Sequence, residues 1–244
     1  MNNIVLNNGI YDISVKEYPG DGSHGFVLAC HGFASSFSIR HFERIAEELG
    51  KNGTAFAVFA LPGHEGSPVG GEFLYGEATQ QDIDTVMEYM LDKWGEPAGL
   101  LGLSYGADMM WKASGRYPGV KKLLCMNTAV KRTKVIDRFL GKRIPEIREK
   151  GYVYIGRKNP IKITEKYLEY LENCDIYGEK RDNVPETLFI HGNLDTLAPL
   201  EDIKVFAART GFPLIVLEGE GHVFSPEGED ISAVLAADFF RKEE

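Results

Sequence analysis

The stretch "LLGLSYGADMMW", residues 100–111, places a serine between two glycines where a strand-like run gives way to a helix-like one. A hydroxyl is out of place in a buried strand, and glycine weakens strand and helix alike. Gly102, Ser104 and Gly106 form the pattern G-x-S-x-G, with an apolar run before it and a helical run after it. In such a strand-turn-helix elbow the serine takes a strained backbone that holds its hydroxyl out above the sheet. The flanking glycines are required because side chains there would meet the neighbouring strand and helix. The chain has 27 glycines, so the five letters alone carry a real chance frequency and partners elsewhere must decide.

A serine hydroxyl is a poor nucleophile unless a base takes its proton, and that base needs a carboxylate to fix its tautomer and stabilise its cation. Two downstream stretches supply them. "ETLFIHGNLDTLAP", residues 186–199, runs from a strand into a loop carrying Asp195, and "FPLIVLEGEGHVF", residues 212–224, runs from a strand into a loop carrying His222. Both lie just past C-terminal strand ends, where open parallel sheets bind ligands. Asp175, Asp182 and Asp202 compete with Asp195. Asp202 follows Pro199 in the first turn of a helix, where the dipole explains a carboxylate without catalysis. His191 reads as a strand-end residue making a structural hydrogen bond. An oxyanion needs two donors: the amide of Tyr105, directly after the serine, and the amide of Phe33 in "LACHGFASS", where the alternative is that His31 and Gly32 simply end a strand.

Around these stretches the chain alternates continuous apolar runs with segments of helical periodicity, such as 39–49, 79–94 and 200–208. That rhythm implies an α/β fold: a mostly parallel twisted sheet with helices on both faces. "NIVLNNGIYDISVKEY" at the start alternates apolar and polar residues about Asn8-Gly9, which reads as an antiparallel hairpin with a tight turn of positive φ. The rhythm breaks once, and the expected organisation is a core of residues 1–128 and 183–244 with an inserted cap at 129–182. The insert holds 14 of the chain's 27 basic residues against nine acidic ones, on a chain of formal charge −9. Such a surface reads as solvated helix faces, or as a region that attracts anionic substrates or docks a neighbouring subunit.

The acidic balance argues against binding nucleic acid through its phosphates. No apolar run approaches the roughly 20 residues of a membrane span, and the N-terminus lacks the pattern of a signal peptide, so the expected location is cytoplasmic. Cys30, Cys125 and Cys174 form no C-x-x-C pair. The six histidines are scattered without ligand spacing, so neither a metal nor an organic cofactor is expected.

"CHGF", "LPGHEGS", "GLSYGA", "HGNLD" and "GHVF" occur in the order seen in the α/β-hydrolase superfamily, and the sequence resembles its small esterases and monoacylglycerol-lipase-like members over nearly the whole chain. The resemblance implies a serine hydrolase with Ser104, Asp195 and His222 as its triad, Phe33 and Tyr105 amides as its oxyanion hole, and a small-molecule ester as substrate. Size, "HGF", the "PGHEGS" loop and the insert are most similar to the cinnamoyl and feruloyl esterases, in which the insert shapes the pocket. Phe33, Tyr105, Tyr152 and Tyr154 are then candidate substrate contacts, with Tyr167, Tyr170 and Tyr177 also suited to stacking on an aromatic acyl group or to burying a face of a cap helix. Many such relatives carry His and Gln beside the serine, where this chain has Leu103 and Tyr105. A lipase-like or thioesterase-like hydrolase, and a non-catalytic small-molecule receptor, are the alternatives on the same fold.

Overall fold

The computed structural model describes residues 1–21, 23–156, 159–173, 178 and 184–241, the side chains of residues 132–134 and 173 excepted. Cys174, Asp175, Tyr177 and Asp182 lie outside the described residues. In chain order the main elements are β1 (Asn2–Asn7), β2 (Asp12–Tyr18), β3 (Phe26–Cys30), α1 (Arg40–Gly50), β4 (Ala55–Phe59), α2 (Gly76–Trp94), β5 (Pro97–Leu103), α3 (Tyr105–Ser114) and β6 (Lys122–Met126). They continue with α4 (Arg132–Phe139), α5 (Ile144–Lys150), β7 (Tyr152–Ile155), β8 (Ile161–Thr164), α6 (Glu165–Asn173), β9 (Glu186–Gly192), α7 (Leu200–Thr210), β10 (Leu214–Leu217) and α8 (Pro226–Phe240).

The described residues form one eight-stranded sheet in the order β1-β2-β4-β3-β5-β6-β9-β10. β1 and β2 pair antiparallel and β2 runs antiparallel to β4, while every later neighbour is parallel. Strands β3 and β4 are buried along their whole length, and their alternation divides the core. Phe26, Leu28 and Cys30 join the apolar cluster that includes Met87 of α2 and Met110 of α3. Val27 and Ala29 join the opposite cluster with Ile45 of α1 and Ala236 of α8. A strand packed on both faces has no polar side, which is why the sequence shows unbroken apolar runs there.

The N-terminal hairpin differs from the expected tight turn. Its connection is four residues, 8–11, closed by Asn8 N donating to Tyr11 O at 3.1 Å. Only Gly9 takes a positive φ, +88°. Asn8 instead spends its side-chain oxygen on the amides of Ile10 and Tyr11, the local hydrogen bonding that lets asparagine shape a turn without left-handed backbone.

Between β6 and β9 the chain leaves the sheet. Strands β7 and β8, which the apolar-run reading passes over, pair only with each other, from Tyr152↔Thr164 to Ile155↔Ile161. Four residues of half-polar alternation are too few to stand out as a run. Their inward residues Val153, Ile161 and Ile163 are continuous with the cluster on the α2 and α3 face. Among the described residues no helix is long and apolar enough to cross a membrane.

Candidate active site

Ser104 sits at the end of β5 with φ 51° and ψ −118°, a conformation that costs a non-glycine residue about 1–3 kcal/mol. Main-chain bonds hold it there. Its amide donates to Met126 O at 2.9 Å, and its carbonyl accepts from Ala107 N at 2.9 Å as α3 begins. A Cβ on Gly102 would collide with Ala107 and one on Gly106 with the carbonyls of Cys30 and His31. The two glycines therefore let α3 start directly against β3 and β5.

Asp195 lies in the loop after β9 and is buried. Its Oδ1 accepts from the amides of Leu197 and Ala198, both at 2.8 Å, and its Oδ2 lies 2.8 Å from His222 Nδ1. His222 Nε2 is 3.0 Å from Ser104 Oγ. With Nδ1–H directed to the carboxylate, Nε2 is the nitrogen left to accept the serine proton. His191 ends β9 and its Nε2 is 2.7 Å from the carbonyl of Ala198, the same turn that feeds Asp195. Asp202 stands apart from this row, in the first turn of α7, bonded by Lys131 Nζ at 2.7 Å.

Asn127, which no motif marks, ties these loops together. Its Nδ2 donates to the carbonyl of His222 at 2.9 Å and its Oδ1 accepts from Gly192 N at 2.9 Å, while its backbone sits at φ 48°. The signal available in the sequence was a polar residue directly after the apolar run 123–126.

The loop after β3 runs beside the serine: a Cβ on Gly32 would lie 3.2 Å from Ser104 Cβ. Two buried histidines shape this loop. His31 Nδ1 bonds to Gly32 O at 2.9 Å and its Nε2 accepts from Leu61 N at 3.0 Å. His64 Nδ1 bonds to Pro62 O at 3.0 Å and its Nε2 accepts from Ala34 N at 3.0 Å. Each ring must be neutral to accept. Burial, reinforced for His31 by the nearby His64, pushes His31 down to about 3, and burial takes His64 to about 4. Ala34, held at φ +57°, turns the chain so that the Phe33 amide has no acceptor among the described residues.

Tyr105 begins α3 directly after Ser104, with its side chain buried and its ring edge-on to Tyr167 at 5.9 Å. It does not line the cavity at the serine, so its bulk leaves that space open. Asp108, also buried, accepts from Thr128 Oγ1 at 3.2 Å. Phe33 does line the cavity. Tyr152 and Tyr154 do not: both are exposed on β7 and lie edge-to-face with each other at 5.8 Å. Strand alternation sends Val153 inward and both tyrosines to the other face. The tyrosine that this segment brings to Phe33 is Tyr167, stacked at 6.0 Å, with Phe139 edge-on at 6.3 Å. Among the described residues no group of three or more His, Cys, Asp or Glu side chains is placed to hold a metal ion.

A serine on an elbow after the fifth strand, facing a histidine from the last strand-to-helix loop across a sheet of this order, defines an α/β-hydrolase, and the chain is a hydrolase of that superfamily. Within it, the family described as serine aminopeptidase, S33, matches residues 21–228, and the chain belongs to that family. No curated protein matches the sequence. Solved structures extend the likeness of fold. Est1E from Butyrivibrio proteoclasticus, bound to ferulic acid, is 16% identical with a TM-score of 0.78, covering 97% of each chain. The mouse alpha/beta hydrolase domain-containing protein 10 is 17% identical with a TM-score of 0.78, covering 98% of each. The thioesterase domain from the curacin biosynthetic pathway is 16% identical with a TM-score of 0.66, covering 98% of this chain and 99% of its own.

Proposed function

We propose that the protein hydrolyses carboxylic esters through an acyl-enzyme. The observation that carries this reading is the continuous row Ser104 Oγ, His222 Nε2, His222 Nδ1, Asp195 Oδ2, with contacts of 3.0 and 2.8 Å. Ser104 Oγ attacks the ester carbonyl as His222 takes its proton, and Asp195 stabilises the imidazolium that forms. The amides of Phe33 and Tyr105 donate to the oxyanion. Collapse of this tetrahedral species breaks the bond to the alcohol oxygen, which takes the proton from His222. Water, deprotonated by the same histidine, then attacks the acyl-serine, and a second tetrahedral species releases the acid and restores Ser104.

In this reading residues 129–182 act as a cap on the core of 1–128 and 183–244. Hydroxycinnamoyl esters of the feruloyl type are the leading substrates. Support comes from Phe33, which lines the cavity at Ser104 and packs against Tyr167 and Phe139, and from the ferulic acid held by a structural neighbour of the same fold. A thioesterase-like or monoacylglycerol-lipase-like activity is the second reading, favoured by the thioesterase domain among the neighbours. The contact between Ser104 and His222 speaks against a receptor without turnover.

The test is a panel of methyl ferulate, a short nitrophenyl ester, an acyl thioester and a monoacylglycerol, assayed on wild type and Ser104→Ala. Ferulate turnover that falls by about 10³-fold or more in the variant is expected. Equal turnover by folded Ser104→Ala overturns the mechanism, and a preference for the glyceride or thioester moves the substrate class.

A further inference from the structure

The cavity that opens at Ser104, about 180 Å³ in volume, is lined on one side by the first turns of α1 and α8, and apart from Asn127, directly after β6, none of its described lining residues comes from the segment between β6 and β9. Its walls there are Ile39 and Phe224, with Met126 from the end of β6. Besides Ser35, whose hydroxyl can turn to donate or accept, two acceptors with spare hydrogen-bonding capacity line this space, His41 and Glu229.

His41 is 5% exposed. Its Nε2 lies 2.7 Å from Ser232 Oγ, and the Ser232 hydroxyl in turn donates to Glu229 O at 3.1 Å. The serine proton is thereby used, so the proton between His41 and Ser232 belongs to Nε2, and Nδ1 remains an acceptor. Nδ1 has no hydrogen-bond partner among the described residues, yet it is not sealed from solvent as His191 Nδ1 is. The opening available to it is the cavity that the ring lines. One Glu229 oxygen takes Arg40 Nη1 at 2.6 Å, which leaves the other free to accept.

Two acceptors in an apolar wall call for a donor. The Arg40 partner offsets the Glu229 charge and so weakens the pull on a cation, and among the described residues no Lys or Arg lines the cavity to hold a carboxylate or phosphate. A neutral hydroxyl meets both conditions. The portion of an ester that stays bonded to Ser104 after the alcohol has gone is the acyl group, and the cavity shares Phe33 and Ser104 with the place where the acyl carbonyl must sit.

We propose that this cavity is the acyl subsite and that His41, assisted by Glu229, selects acyl groups carrying a hydroxyl. The inference rests on the ester-hydrolase reading of Ser104. It is tested with two matched pairs, nitrophenyl 3-hydroxybutanoate against nitrophenyl butanoate and methyl 4-hydroxycinnamate against methyl cinnamate. These pairs separate an aliphatic from a phenolic source of the hydroxyl. Wild type is expected to favour the hydroxylated member of one pair by about tenfold or more in kcat/KM, because a site built around a hydroxyl loses its partner with the deoxy analogue. In His41→Phe that ratio is expected to fall to within about twofold of unity. Should His41→Phe not fold, Ser232→Ala, which releases the tautomer of His41, is expected to lower the ratio as well. Turnover of both members without preference overturns the subsite while leaving the hydrolase intact, and so does a preference unchanged in the variants. Absence of turnover on every ester overturns the hydrolase reading and the subsite with it.

Discussion

The strand ends and the segment between β6 and β9 hold their side chains by different means. At the strand ends the main chain does the positioning: the positive φ of Ser104, the two amides on Asp195 and the clamp from Asn127 each fix a reacting group through backbone atoms. In the segment, Tyr167 and Phe139 are placed by ring packing on Phe33, and Tyr152 and Tyr154 by alternation on a four-residue strand. Backbone positioning leaves few conformations open, and side-chain packing leaves many. The two regions are thus held by separate structural means, and perturbations should separate them.

Acid offers the largest contrast. Burial holds His31, His41 and His64 neutral, with His31 pushed down to about 3 and the other two to about 4, and no histidine lies within 129–182. Their unfolded value near 6.5 is higher, so the unfolded chain binds protons first. Their contribution is complete above about pH 6.5 and is lost as pH falls toward 4. Asp82, which burial raises to about 6, acts with the opposite sign between its unfolded value and about 6. Burial lowers His191 as well, and four groups against one predict a urea midpoint that declines below pH 6.5. Hydrogen exchange should show the loops at 31–35 and 61–67 losing protection before α6, and earlier opening of α6 would break the comparison.

Next in size are two glycines. Gly106→Ala drives a methyl into the carbonyls of Cys30 and His31 and is expected to cost about 3 kcal/mol or more in thermal unfolding. Gly151→Ala, at the left-handed end of α5 with nothing within 4 Å of the added carbon, is expected to cost about 1 kcal/mol. Asn127→Ala should leave the fold intact but release His222 and Gly192, lowering kcat by roughly 10- to 100-fold with little change in KM. The smallest effect belongs to Tyr152→Ser combined with Tyr154→Ser: kcat/KM on any ester of the panel should stay within about twofold of wild type, as for most exposed positions. A larger loss would place those rings in the substrate path.

The same division explains what could be read from the sequence. Elements of the sheet were legible because strands buried on both faces leave unbroken apolar runs; Ser104 and Asp195 follow such runs, and His222 follows the apolar run of the half-buried edge strand β10. The glycines around Ser104 were legible because they answer a local steric demand. Asn127 was not, since no motif surrounds it, and the role of His64 was not, since its ring acts on a loop far away in sequence although "LPGHEGS" surrounds it. β7 and β8 escaped because four residues with alternate polar side chains leave no run. Which of Tyr152, Tyr154 and Tyr167 packs on Phe33 is not legible, because it turns on which face of a short element points inward, a matter of tertiary packing rather than composition.

The Asn127 clamp also bears on how the protein comes into being. A single side chain joins the ends of β6, β9 and the loop after β10, contributed by residues 127, 192 and 222. A chain still emerging during synthesis therefore has its serine elbow long before it has His222, and it closes the remaining contacts only after these distant strands pair. Long-range pairing of this kind is the slow part of folding. A fluorophosphonate that labels only activated serines would then count finished molecules, and the delay between completion of the chain and onset of labelling would time the last step of assembly.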